Sequence, residues 1–303
     1  MTRFKPCCDV LWIGSYPFTD PRRACRAALS ETNVLPHWPQ LPKRSPRERM
    51  VEQTAAAMKT KDGAFARGTA SAWNMIFREL ERRRKDAVFF KSQIAGPLAL
   101  FGGRHADADA DAKAEPGMTD WNRHARSQIR QIRKHGYRPI LMLDEPTLPS
   151  HARNGLGDLT TAVRQVQEEG ALAGVHCCNR ISPQILAETG ADIIHFDAIH
   201  YPSLLIPSKK PLQDFLRGGG VIAWGIVPTA EPVEAQQLAR IEKGFLSVIQ
   251  SMEGLGLPVS KILSQSMIAP VCGTGLLKPA EALKILRATS DISKRIKSRY
   301  KLN

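Results

Sequence analysis

The chain has 303 residues, 43% of them apolar, and a formal net charge of +14. That length admits one large domain, and no run of eighteen apolar residues is present to cross a membrane. Six cysteines (Cys7, Cys8, Cys25, Cys177, Cys178, Cys272) are too sparse for a disulfide scaffold, and the opening MTRFKPCCDV lacks the apolar core of a secretory signal, so a cytoplasmic chain with free thiols or metal ligands is expected.

Along the chain, short β-branched or apolar runs alternate with stretches of helical period. Strands are expected at 10–14, 33–38, 87–94, 139–143, 174–178, 192–197, 221–226 and 261–267. Amphipathic helices are expected at 47–58, 70–84, 121–135, 158–169 and 232–252. Eight such units over residues 1–303 predict a single-domain α/β fold, a (β/α)8 TIM barrel. An open doubly wound sheet is the competing arrangement, but no Gly-rich phosphate loop follows the first strand. Segment 102–117 (GGRHADADADAKAEPG) is small, polar and alternately acidic, which predicts a mobile loop near the barrel mouth, and residues 288–303 read as a basic tail. The basic residues are dispersed along the chain. With aromatics at 6% and no basic strand interleaved with rings, the charge reads as solvated surface rather than a nucleic-acid platform.

His176 and Cys178 stand two apart in GVHCCNR, at the end of a predicted strand where alternate side chains share a face. Both then point into the mouth, while Cys177 faces the helical layer as a small apolar residue. One His and one Cys can hold zinc, yet that pair alone is a weak signal found by chance in many chains. Cys272, in the turn PVCGTG after the last strand, can approach the same mouth. Three protein ligands plus one exchangeable position is the usual composition of a catalytic zinc site. Asp197, closing the sixth strand in ADIIHFD, offers an oxygen ligand. The plainer alternative makes His195 and Asp197 a local hydrogen-bonded pair and His200 a loop histidine. A thiol bound to a cation is deprotonated outright, so such a site generates a sulfur nucleophile.

With these residues in order, the chain resembles the C-terminal catalytic domain of cobalamin-independent methionine synthase, in the superfamily that contains uroporphyrinogen decarboxylase. The likeness is carried by Ile13-Gly14-Ser15 with Tyr16-Pro17, then Gly96-Pro97 and Asp144-Glu145-Pro146. It continues through His176-x-Cys178, the run from Ala191 to Asp197, and Cys272-Gly273, covering nearly the whole chain. The resemblance implies a zinc site of His176, Cys178, Asp197 and Cys272, and a homocysteine site including Ile13, Gly14, Ser15 and Asp144, where a carboxylate pairs an ammonium group. Four departures accompany it. Asp197 stands where the family commonly has Glu, and neutral Gln40 in WPQLP stands where a Gly-Glu helps bind the ammonium. The segment GIVPT lacks the histidine that protonates a departing folate, and the folate-binding half of the long enzymes is missing. The resemblance with these departures implies a zinc-dependent methyltransferase acting on a thiol, homocysteine being the leading acceptor. A methyl-corrinoid suits it as donor better than methyltetrahydrofolate, because departing cob(I)alamin needs no proton. An acidic corrinoid protein would then dock on the basic surface. Glu145-Pro146 also reads simply as a strand-ending turn.

Two other readings compete. A tetrapyrrole decarboxylase of the same superfamily fits the positive charge but leaves the His-Cys-Cys set without a purpose, and no arginine-rich porphyrin-binding motif stands at the N-terminus. A non-catalytic corrinoid-binding protein would use His195 or His200 as a cobalt ligand.

Overall fold

The computed structural model describes residues 4–30, 35–83, 87–102, 116–146, 148, 156–230, 233–253 and 256–302. Six strands form one parallel sheet in chain order: β1 (Phe89–Ala95), β2 (Arg138–Asp144), β3 (Leu172–Cys177), β4 (Ile193–Asp197), β5 (Val221–Val227) and β6 (Ser266–Pro270). Their near-continuous apolar runs follow from burial on both faces. On the outer face Leu141, Val175, Cys177, Phe196 and Trp224 join the helices in one apolar cluster. On the inner face of the curled sheet, Ile140, Met142, Ile193, Ala223 and Met267 pack with Leu11, Ile13 and Leu35.

Before the sheet come α1 (Pro21–Ala28), α2 (Met50–Met58) and α3 (Trp73–Arg83). Between β1 and β4 lie α4 (Pro97–Phe101), α5 (Met118–Lys134), α6 (Leu156–Glu168) and α7 (Pro183–Glu188). The remainder are α8 (Pro202–Gly218), α9 (Ala235–Glu253), α10 (Val259–Ser264) and α11 (Pro279–Tyr300). Among the described residues no helix is long and apolar enough to cross a membrane.

Three expectations are corrected. Among the described residues the regular sheet has six strands rather than the eight of a closed barrel. The expected strands at 10–14 and 33–38 occur only as single parallel bridges, with residues 33 and 34 outside the described residues. Val10 bridges to Ile268 of β6, Ser15 to Gln40, and His37 to Lys91 of β1. Pro36 and Pro39 have no N–H to extend a ladder, and Gly14 takes φ +123°, which ends the extended run. Second, residues 261–264 belong to α10 and only Ser266 onward is strand. Third, the basic tail is α11 up to Tyr300. Ala282, Ile285, Ala288, Ile292 and Ile296 line its buried face at helical spacing, each isoleucine worth about 1.5–3 kcal/mol in removed apolar surface. Of the expected mobile loop 102–117, residues 103–115 lie outside the described residues.

The register places the chemistry. Asp144 pairs across to His176, and His176 to His195, so the C-terminal ends of β2, β3 and β4 present these side chains side by side on the inner face.

Candidate metal centre

His176 is the last inward-facing residue of β3, and Cys177 next to it faces the helices, as alternation requires. The chain leaves the strand at Cys178. Cys272 follows β6 in the loop that leads to α11. Their ligand atoms, one imidazole nitrogen and two sulfurs, lie within 4.8 Å of one another. Cys178 Sγ and Cys272 Sγ stand 3.3 Å apart and share a hydrogen bond. Two Zn–S bonds of about 2.3 Å at a tetrahedral angle separate the sulfurs by about 3.8 Å, so the pair needs to open by only about half an ångström to hold such an ion. One imidazole with two thiols is a donor set suited to a soft or borderline cation.

The sulfur–sulfur hydrogen bond, helped by nearby His176, pulls the Cys272 thiol down to about 4 against the opposing effect of burial. The same bond and burial push Cys178 up.

Behind the ligands stands a fully buried histidine. His195 Nδ1 is 2.6 Å from His176 Nδ1, and its Nε2 is 3.0 Å from the carbonyl oxygen of Pro270 in β6. Burial, with His176 adding to it, drives His195 well below the ordinary histidine range, so its ring is neutral. Gly225 makes room for it: a Cβ there would lie 3.2 Å from His195 Nε2 and 2.5 Å from the Phe196 carbonyl oxygen.

Asp197 is not brought into the cluster. Its Oδ1 accepts from the backbone N–H groups of Ile199 and His200 at 2.9 Å each, and its Oδ2 accepts from His200 Nδ1 at 2.6 Å. The partner of Asp197 is thus His200, not His195.

The residues expected to hold a substrate surround the cluster. Asp144 is buried, and its Oδ1 has no hydrogen-bond partner. Burial raises its carboxyl to about 6, with His176 and Lys91 pulling the other way. Lys91, itself fully buried and lowered by that burial to about 8, donates from Nζ to Ile13 O and to Gln93 Oε1. Gly14 is needed as glycine: besides its positive φ, a Cβ would come within 2.6 Å of the Gln93 amide. Ser15 ties this segment to the Cys272 loop, its carbonyl accepting from Thr274 N and Oγ1 and its Oγ from Gly275 N. The same close approach explains the glycine after Cys272, because any Cβ at Gly273 would overlap Ser15 Oγ. Gln40 is buried, and its Nε2 donates to Gln53 Oε1 at 2.9 Å, so its amide is committed to α2. Glu145 serves the fold, since its carboxylate accepts from Leu98 N and Ala99 N at the start of α4.

Sequence reasoning missed the placement of His195. Parity puts His195 and Asp197 on one face, but only strand register shows that His195 lies beside His176. No protein-family model matches the chain, and no curated protein matches it in sequence.

Proposed function

We propose that this chain is a zinc-dependent methyltransferase that moves a methyl group to a thiol, homocysteine being the leading acceptor and a methyl-corrinoid the donor. The observation that carries the reading is the convergence of His176, Cys178 and Cys272 within 4.8 Å at the ends of β3 and β6. We read the scaffold as TIM-like, an incompletely closed barrel in which the bridging segments around Val10 to Ser15 and His37 to Gln40 lie in place of two further strands.

A bound zinc ion would supply Lewis acidity, holding a substrate thiol as thiolate at neutral pH. His176, Cys178 and Cys272 would hold the ion and a substrate sulfur would join them, because both Asp197 oxygens are engaged in their own turn. Asp144 offers a buried, unpartnered oxygen to the ammonium of an amino-acid thiol. A methyl-corrinoid would supply the methyl group and take up the electron pair of its broken carbon–cobalt bond, so the residues of this chain need only hold the substrate sulfur in line with the methyl carbon. A barrel of this basic composition suits docking of an acidic corrinoid-carrying protein.

Metal analysis tests the reading. The purified protein is expected to hold about one zinc per chain, His176→Ala to lose most of it, and methylcobalamin with homocysteine to yield methionine only in the zinc-bound protein. A wild-type protein with less than about a tenth of an equivalent after zinc reconstitution, indistinguishable from His176→Ala, would overturn it.

A further inference from the structure

The hydrogen-bond chain His176–His195–Pro270 fixes which nitrogen of His176 is free. A carbonyl oxygen can only accept, so the 3.0 Å contact with Pro270 O requires the proton on His195 Nε2. His195 is 0% exposed, and a cationic imidazolium there would be buried with no carboxylate among its hydrogen-bond partners. The ring is therefore neutral, and its Nδ1 holds a lone pair. The 2.6 Å contact between the two Nδ1 atoms needs one proton, which then belongs to His176 Nδ1. His176 Nε2, on the ring edge away from His195, is then the nitrogen left to face Cys178 and Cys272.

We infer that His195 is a positioning residue that keeps a proton on His176 Nδ1 and so turns Nε2, the nitrogen that can ligate, toward the site shared with Cys178 and Cys272. The role has a mechanical side as well. Through Pro270, His195 ties the strand carrying His176 to the strand that runs into Cys272, so ligands 96 residues apart in sequence are held at one separation. Metal-bound histidines ordinarily hand their second nitrogen to a carboxylate, a carbonyl or water. Here a second histidine relays that demand to a carbonyl, adding no charge to a centre that already holds two sulfurs. The neighbouring residues suit this role, since Gly225 and Ala223 on β5 leave the volume the His195 ring fills and the register aligns His176 with His195.

The purpose assigned to this tautomer rests on the proposed metal site, but the tautomer itself does not, and the experiment separates the two. Long-range 1H–15N correlation spectra of the metal-free protein report which nitrogen carries the proton. His176 is expected to be protonated on Nδ1 and His195 on Nε2; a His176 without a proton on Nδ1 would overturn the inference whether or not zinc binds. Zinc affinity is then measured by chelator competition for wild type, His195→Phe and His195→Gln. Phenylalanine keeps the shape and removes both hydrogen bonds, so affinity is expected to fall about 10- to 100-fold. Glutamine can accept from His176 and donate to Pro270 O, so it should recover most of that loss and keep the wild-type cobalt(II) absorption bands. Unchanged affinity in His195→Phe with a zinc-binding wild type sinks the inference alone. A wild type that binds no zinc sinks the proposed function and leaves the spectra to judge the tautomer.

Discussion

Two buried regions of this molecule hold histidine by the same rule and end in opposite ways. On α5, His124 places Nδ1 2.6 Å from Gly63 O and Nε2 3.0 Å from Gln128 Nε2. The carbonyl takes the Nδ1 proton and the amide N–H meets the Nε2 lone pair, so nothing is left over. At the strand ends, His176 spends Nδ1 on His195, and its other nitrogen faces two sulfurs, groups that a soft cation can take over. Burial alone therefore does not mark a site. The chemistry of the partners marks it, together with unspent hydrogen-bonding capacity, which here belongs to buried Asp144 with its unpartnered Oδ1.

The largest expected effect tests the satisfied region. Burial lowers His124 to about 4, the Gly63 carbonyl opposing it, so the folded state favours the neutral ring. That stability is fully present above the unfolded value near 6.5 and is lost as pH falls toward 4, amounting to about 3 kcal/mol. Urea unfolding of wild type and His124→Gln at pH 7 and pH 4 measures it. The variant, which has no ring to protonate, should lose about 3 kcal/mol less over that interval. Equal losses would mean that His124 is already charged in the fold.

The next effect tests the unspent region. Asp144→Asn should lower kcat/KM for homocysteine about 100-fold, the scale of one charge-assisted hydrogen bond removed from a buried site. Folding stability should hold or rise, because a buried carboxylate oxygen without a partner has been replaced by a neutral group. A thiol of similar size without an ammonium group serves as control and should be methylated by both proteins at comparable rates. If both thiols lose equally, Asp144 acts on the metal site rather than on the ammonium.

How far the sequence discloses this contrast depends on which physical signal carries each piece. Alternation disclosed the inward His176 and Cys178 and the outward Cys177, since a strand has a period of two wherever it pairs. Apolar runs located β1 to β5 to within a few residues. They failed at 10–14 and 33–38, where prolines and a positive-φ glycine reduce pairing to single bridges, and at 261–264, where an apolar segment is helix. Helix α8 escaped because Pro207 and Pro211 stand inside it. The charge of residues 288–301 masked the Ala and Ile face that packs α11 down. His195 and the commitment of Glu145 to α4 depend on register and on a loop's return path, neither of which a single sequence carries.

The smallest effect concerns the aspartate that resembles a ligand most in sequence and least in geometry. To reach a metal, Asp197 would surrender two backbone N–H bonds at 2.9 Å and the 2.6 Å bond from His200 Nδ1. In Asp197→Asn the amide oxygen still accepts from the two N–H groups, while the partner of His200 is lost. Because His200 is half exposed and solvent screens that pair, the expected cost is only about 1 kcal/mol of stability. Zinc content and kcat should stay near wild type, since the three proposed ligands, His176, Cys178 and Cys272, are untouched. A loss of zinc in this variant would mean that Asp197 turns inward when the ion arrives. The fourth position would then be filled before substrate binds, and sulfur would enter by displacing an oxygen instead of occupying an open place.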